Sequence, residues 1–222
     1  MAKAQQISAA VAADLIKDGM SVMVGGFMTC GTPEDIVDAI VKKGVKDLTV
    51  ICNDAGYPDK GVGKLISNGQ VKTVIASHVG LNPECGRLYG LGEVELELVP
   101  QGTLAERIRC AGAGLGGFLT PTGVGTTVGE GKEVIKVDGV EFLLEKPLKA
   151  DMAILSGNLV DTVGNIKYRG ATRNFNPIMA TAASTVIVQA DHVVEAGSIG
   201  PENVETPGIF VDYIVEVTND GY

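Results

Sequence analysis

The sequence predicts an α/β fold: a mostly parallel sheet flanked by helices, with an added β-hairpin and irregular segment. Two observations carry this. Short Val/Ile-rich runs alternate with stretches whose apolar residues recur at helical spacing, the order that buries a parallel sheet between helices. The chain also holds 30 glycines and only 5% aromatic residues, a composition suited to many tight turns around a buried sheet.

In chain order, "ISAAVAADLI" (7–16) reads as a helix that ends by Gly19, and "SVMVGG" as a buried strand. "PEDIVDAIVKKG" reads as a helix with Pro33 at its start, acids in its first turn, lysines in its last and Gly44 after it. "LTVICN" is a strand, "GVGKLISNG" a short helix, and "VKTVIAS" and "VELELVP" are strands. "TLAERIRCAG" is a helix opened by Gly102 or Thr103. From about 111 a Gly/Thr/Pro segment without period follows, read as a mobile loop over a site. "KEVIKVDGVEFLLE" is a hairpin turning at Asp138-Gly139. Further apolar runs, from "ADMAILSG" to "VDYIVEV", complete the chain. No internal repeat or linker stands out, so residues 1–222 read as a single domain.

At 222 residues the chain is long enough to bury about 70% of its unfolded surface. A formal net charge of −9 argues against nucleic acid and anionic membranes as partners, though not against a small anion met by a local cluster of donors. No apolar stretch reaches membrane-spanning length and the N-terminus lacks a signal-like core, so a cytoplasmic protein is expected. Cys30, Cys52, Cys85 and Cys110 are far apart in sequence and only His78 and His192 accompany them. They read as reduced thiols, with no metal site expected.

Two glycine loops compete as candidate sites. Gly112, Gly114 and Gly117 spell G-x-G-x-x-G, but after a helix rather than a strand and before Pro121, which is the wrong setting for a dinucleotide fingerprint. Around Gly25, Gly26 and Gly31 the setting is better: a strand ends, a loop of low bulk follows, and a helix opens. Backbone N–H groups there can receive negative charge, although a tight turn that binds nothing fits the spacing equally well.

"DGMSVMVGGFMTCGTP" resembles the signature of the CoA-transferases: Asp18, Gly19, three apolar residues Val22 to Val24, Gly25, Gly26, Phe27, then Gly31 and Pro33. The five fixed Gly, Phe and Pro positions would recur by chance in about one such sequence in two thousand. "CNDAGYPDKGVGKLI" and "VPQGTLAERIRCAGAGLGGFLTPTGVGT" are similar to two further characteristic stretches, and "NFNP" and "TPG" continue the likeness. It covers nearly the whole chain and is nearest to the A (alpha) subunits that act on acetate, butyrate or acetoacetate.

The resemblance implies a fold of the NagB/RpiA-like type and ping-pong transfer of CoA from a short-chain acyl-CoA to a free carboxylate. The nucleophile would be a glutamate in a Ser-Glu-Asn-Gly motif of a B subunit, the two assembling as a heteromer of α2β2 type. That motif is absent here. Glu84, Glu130 and Glu202 read as surface residues in polar turns, Glu106 as the partner of Arg109, and no catalytic residue is expected on this chain.

By the same resemblance Gly25, Gly26, Phe27, Met28, Thr29, Cys30 and Gly31 would bind CoA, and bulk at Gly25 or Gly26 would exclude it. Asn53, Gln101 and Gly102 would line the substrate pocket, with the Gln101 amide near the reacting acyl group. Gln101 as a helix cap and Asn53 as a turn former are the plainer readings. At Asp54 relatives often carry Asn, which leaves a carboxylate either opposing the anionic substrate or accepting hydrogen bonds. His78 reads as structural, and Arg109, Arg169 and Arg173 as candidate phosphate contacts. No permanently bound cofactor is implied, CoA being a substrate. The competing readings are a glutaconate-type subunit, an inactive CoA-binding subunit, and a sugar-phosphate isomerase, for which no compact cationic site is visible.

Overall fold

The computed structural model describes residues 4–217, so residues 1–3 and 218–222 of the expected single unit lie outside the described residues. In chain order the elements are β1 (Gln5–Gln6), α1 (Ala9–Leu15), β2 (Ser21–Val24), α2 (Glu34–Lys43), β3 (Leu48–Asp54), α3 (Gly63–Ser67), β4 (Val71–His78), α4 (Pro83–Gly90) and β5 (Glu95–Leu98). There follow α5 (Gln101–Gly112), β6 (Phe118–Thr120), β7 (Val134–Val137), β8 (Val140–Glu145), β9 (Ala150–Asp161), β10 (Ile166–Lys167), α6 (Asn176–Ala180), β11 (Ala183–Val194) and β12 (Tyr213–Glu216).

The main sheet runs β1-β12-β11-β9-β2-β3-β4-β5, all parallel, with β10 antiparallel on β9. Its central strands β2 and β3 are buried on both faces, which is why they read as continuous apolar runs, whereas the edge strands β1 and β5 are largely exposed. Alternation along β2 sends Val22 and Val24 into one core with Ile36, Ile40 and Leu65, and Met23 into another with Leu104, Ile108 and Met179.

The chain winds outward from β2 in two directions: through β3, β4 and β5 on one side, and through β9, β11 and β12 on the other. The C-terminal ends of β2 and β9 therefore flank the point where strand order reverses, the usual crevice for ligands in such sheets.

Helix α2 shows why the reading of its sequence succeeded. Ile36, Val37 and Ile40 are buried on one stripe, Glu34 and Asp35 lie at the positive end, Lys42 and Lys43 at the negative end, and Gly44 closes it with φ 75°.

Two expectations need correction. "NPECG" is not a polar turn: Asn82 caps the Cys85 N–H, Pro83 starts α4, and Cys85 and Leu88 supply its buried side. Glu84 sits in the first turn of that helix, paired with Arg87 at 2.7 Å.

Nor does the segment after 111 run as an unbroken loop over the Gly25 site. Phe118–Thr120 pairs with β8, and β6-β8-β7 form a separate antiparallel sheet. That sheet leaves the end of α5 and returns to the start of β9, both at the end of the strands away from Gly25. Its β7–β8 turn is the expected one, with Asp138 and Gly139 at φ 50° and 83°.

Candidate functional site

Beyond Val24 the Gly25 N–H still bonds the Ile154 carbonyl of β9 at 3.0 Å, and Gly26 then turns the chain at φ 126°. The next four residues close a two-residue turn. Phe27 N donates to Cys30 O at 3.0 Å and Cys30 N to Phe27 O at 2.9 Å. The central pair, Met28 and Thr29, have φ of 47° and 65°, a left-handed conformation that costs a non-glycine residue on the order of 1 kcal/mol.

Asp54, at the C-terminal end of β3, offsets that cost. It is 5% exposed, and its Oδ2 accepts from the Met28 N–H at 2.7 Å. The same oxygen accepts from Asn53 Nδ2 at 2.8 Å, while Oδ1 takes the Gly56 N–H at 3.0 Å. Of the two roles the sequence left open for Asp54, hydrogen-bond acceptor is the one seen.

Residues 169–176 hold the loop from the other side. Asn174 Nδ2 donates to Cys30 O at 3.0 Å, and Asn176 Nδ2 to Gly31 O at 3.1 Å and Thr172 O at 2.8 Å. The Asn176 Oδ1 receives the Ser156 N–H of β9 at 3.1 Å.

Here the glycines acquire a different explanation from the expected one. A Cβ on Gly25 would overlap the Asn176 carboxamide, one on Gly26 the Thr32 hydroxyl, and one on Gly31 would lie 2.8 Å from the Thr172 carbonyl. Bulk at these positions displaces the chain's own atoms before it meets any ligand.

Asn53 and Gln101 come together as the sequence suggested. Gln101 is the first residue of α5, not a strand end, and its Nε2 donates to Asn53 Oδ1 at 2.6 Å. The Ser77 hydroxyl steadies Asn53 by donating to its carbonyl at 2.7 Å. One hydrogen-bonded chain thus runs Gln101, Asn53, Asp54, Met28 and joins the start of α5 to the glycine loop. Gly102 is exposed with open space where a Cβ would be, and it plays no part in that chain.

The three arginines separate. Arg109 is paired with Glu106 on its own helix, as the sequence suggested, whereas Arg169 and Arg173 flank Thr172, which packs on Gly31. Arg173 approaches Glu205 at 3.3 Å. His78 is exposed at the end of β4.

Sequence reasoning missed a second turn of the same build. Tyr57 and Lys60 exchange backbone hydrogen bonds at 3.2 and 3.1 Å around Pro58-Asp59, and Gly61 after them faces Thr29. Between the two turns lies a cavity of about 10 Å3, lined by Gly26, Thr29, Thr32, Asp54 and Gly56 among others, room for about one water.

Phe27 and Met28 project outward, 39% and 46% exposed. Among the described residues the N–H groups of Gly26, Thr29, Gly31 and Thr32 find no acceptor. The site is therefore a hydrogen-bonded, donor-rich rim at the strand-order reversal, suited to an anionic or carbonyl-bearing ligand. Also among the described residues, no helix is long and apolar enough to cross a membrane.

A family model described as Coenzyme A transferase matches residues 6–217. The chain is 53% identical over 204 residues to the alpha subunit of the acetate CoA-transferase of Escherichia coli (strain K12), covering 92% of this chain and 93% of that one. It is 52% identical over 200 residues to the acetoacetyl-CoA:acetate/butyrate CoA transferase alpha subunit of Clostridium acetobutylicum, covering 90% and 92%. Among solved structures, an acyl-CoA transferase from Escherichia coli O157:H7, in a thioester complex with CoA, superposes with TM-score 0.87 at 21% identity. The match covers 99% of this chain and 48% of that chain, so this chain spans about half of it.

Proposed function

The chain belongs to the Coenzyme A transferase family as an alpha-type subunit, and from that premise we propose that it is one half of a short-chain acyl-CoA:carboxylate CoA-transferase. Its partner is a B subunit in an α2β2 heteromer, residues 1–222 act as one domain, and the assembly works in the cytoplasm. CoA and its thioesters are substrates.

The partner supplies the glutamate. Its carboxylate attacks the thioester carbonyl, the C–S bond breaks, and CoA thiolate leaves an acyl-glutamyl anhydride. The thiolate then attacks the glutamyl carbonyl of the anhydride, releasing the carboxylate product and forming a glutamyl-CoA thioester. An incoming carboxylate runs the same steps in reverse and departs as the new acyl-CoA.

This chain holds the acyl-CoA against the 25–31 loop and offers the second N–H of the Gln101 amide to the developing oxyanion. One N–H of that amide is already committed to Asn53, which fixes its direction. A neutral donor of this kind is worth about 3 kcal/mol in the transition state. The observation that carries the reading is the continuous hydrogen-bonded path from Gln101 through Asn53 and Asp54 to Met28.

Acetate, butyrate and acetoacetate are the favoured carboxylates and acyl groups. The two relatives named for them are 53% and 52% identical, against 47% for the corresponding chain of a 3-oxoadipate CoA-transferase from Pseudomonas putida. The test is transfer from acetoacetyl-CoA or butyryl-CoA by the purified complex, with acetate, butyrate, succinate and 3-oxoadipate competing as acceptors. Preference for a monocarboxylate supports the assignment, and preference for a dicarboxylate overturns it.

A further inference from the structure

The two turns at the rim form an internal comparison. Both are closed by the same pair of backbone hydrogen bonds, Phe27 with Cys30 and Tyr57 with Lys60. In the second, Pro58 and Asp59 keep ordinary negative φ, so this backbone can close such a turn without left-handed residues. In the first, Met28 and Thr29 are both left-handed although neither is Gly, Asn or Asp, the residues that ordinarily fill such places. Something outside the turn must hold it, and the group in place is the Asp54 carboxylate. It is buried and reaches the Met28 N–H across 26 residues of sequence.

We propose that Asp54 is a positioning residue for CoA transfer: its carboxylate holds the Met28–Thr29 turn left-handed and thereby sets how Phe27, Met28 and the Thr29 N–H face the acyl-CoA. The inference rests on the reading of the 25–31 loop as the acyl-CoA face. Three donors converge on Asp54: the Met28 N–H, the Gly56 N–H and the Asn53 amide. The last of these links Asp54 to Gln101, so loss of the carboxylate also frees the Asn53 amide that orients Gln101. An Asn at 54 keeps one acceptor oxygen for Met28, whereas Ala keeps none.

The experiment is a cycle in the purified complex: Asp54→Ala, Asp54→Asn, the double change Met28→Asn with Thr29→Gly, and that pair combined with Asp54→Ala. Asn-Gly favours this turn hand without help. Asp54→Ala is expected to lower kcat/KM about 100-fold, with KM for acyl-CoA raised, and Asp54→Asn to stay within about tenfold of wild type. The Asn-Gly turn should return at least about tenfold of the loss in the Ala background.

Hydrogen exchange on the isolated chain reads the lock without reference to activity. The turn-closing amides of Phe27 and Cys30 should be protected in wild type, open in Asp54→Ala, and protected again with the Asn-Gly turn. Equal exchange in wild type and Asp54→Ala overturns the proposal, as does an Asn-Gly turn that restores nothing. Wild-type kinetic constants in a folded Asp54→Ala complex would reduce Asp54 to a structural role. If Asp54→Ala fails to fold alone, folding of the combined variant supports the lock and its failure refutes it. An inactive wild-type complex would instead defeat the reading of the loop, a result the exchange data leave separate.

Discussion

Asn176→Ala is a direct probe of how the rim is held. The side chain is fully buried and makes three hydrogen bonds: one from the Ser156 N–H at 3.1 Å, and two to the carbonyls of Gly31 and Thr172 at 3.1 and 2.8 Å. Each such bond contributes about 1 kcal/mol net, and more where its loss leaves a buried group unpaired, so the variant should lose about 3 kcal/mol. For a chain of this size that corresponds to a fall in Tm of roughly 6–12 °C. The loop also loses its tie at Gly31, so KM for acyl-CoA should rise about tenfold. Asn176→Asp should be worse: it keeps an acceptor for Ser156 but turns a second acceptor onto two carbonyls, and among the described residues no cationic side chain bonds this group. Thermal melts and steady-state kinetics on the purified complex read both effects. A Tm within about 1 °C of wild type would refute the account of the buried bonds. A lowered Tm with unchanged KM would refute the claim that the loop faces acyl-CoA.

Other outcomes follow from the same geometry. Gln101→Ala removes an exposed side chain, so stability should move by less than about 0.5 kcal/mol while kcat falls about 100-fold, checked by paired melts and kinetics. Cys30 is the exposed thiol of the four, and burial pushes the Cys52 and Cys85 thiols up. A thiol reagent should therefore modify Cys30 first in the native isolated chain, and saturating acyl-CoA should slow that reaction in the complex. Asp151 receives the Ser21 hydroxyl at 2.7 Å and the Ser21 N–H at 2.8 Å, which hold its carboxyl below the ordinary range. Its small, largely solvent-screened stabilisation is present above the unfolded value and is lost as pH falls through the depressed folded value. Ser21→Ala should raise the Asp151 midpoint toward the ordinary value in an NMR titration of its carboxyl carbon.

What the sequence made legible was local. Strand β2, helix α2 and the Asp138-Gly139 hairpin each declare themselves through near-neighbour patterns: an apolar run, charged ends around an apolar stripe, a turn pair. Helix α4 did not, because its eight residues include two glycines and its start depends on Asn82 capping Cys85. Asn53, Gln101 and the glycine loop were picked out one by one through a family likeness, but Asp54, the residue that joins them, acts on Met28 far away in sequence. The need for glycine at 25, 26 and 31 was visible, and its cause was not. Asn176, Thr32 and Thr172 arrive from other parts of the chain, and only the folded backbone brings them there. The second turn at Tyr57–Lys60 escaped notice because its sequence shares only the flanking glycines and the aromatic with the first.

In the proposed division of labour this chain orients the substrate while its partner carries the nucleophile. The most direct measurement is the intact mass of both polypeptides once the purified complex has been mixed with acetoacetyl-CoA in the absence of any acceptor carboxylate. A covalent CoA adduct is expected on the partner and none on this chain, with loss of the adduct when acetate is added. A CoA or acyl adduct on this chain, at Glu84, Glu106, Glu130, Glu202 or any other residue, would contradict it.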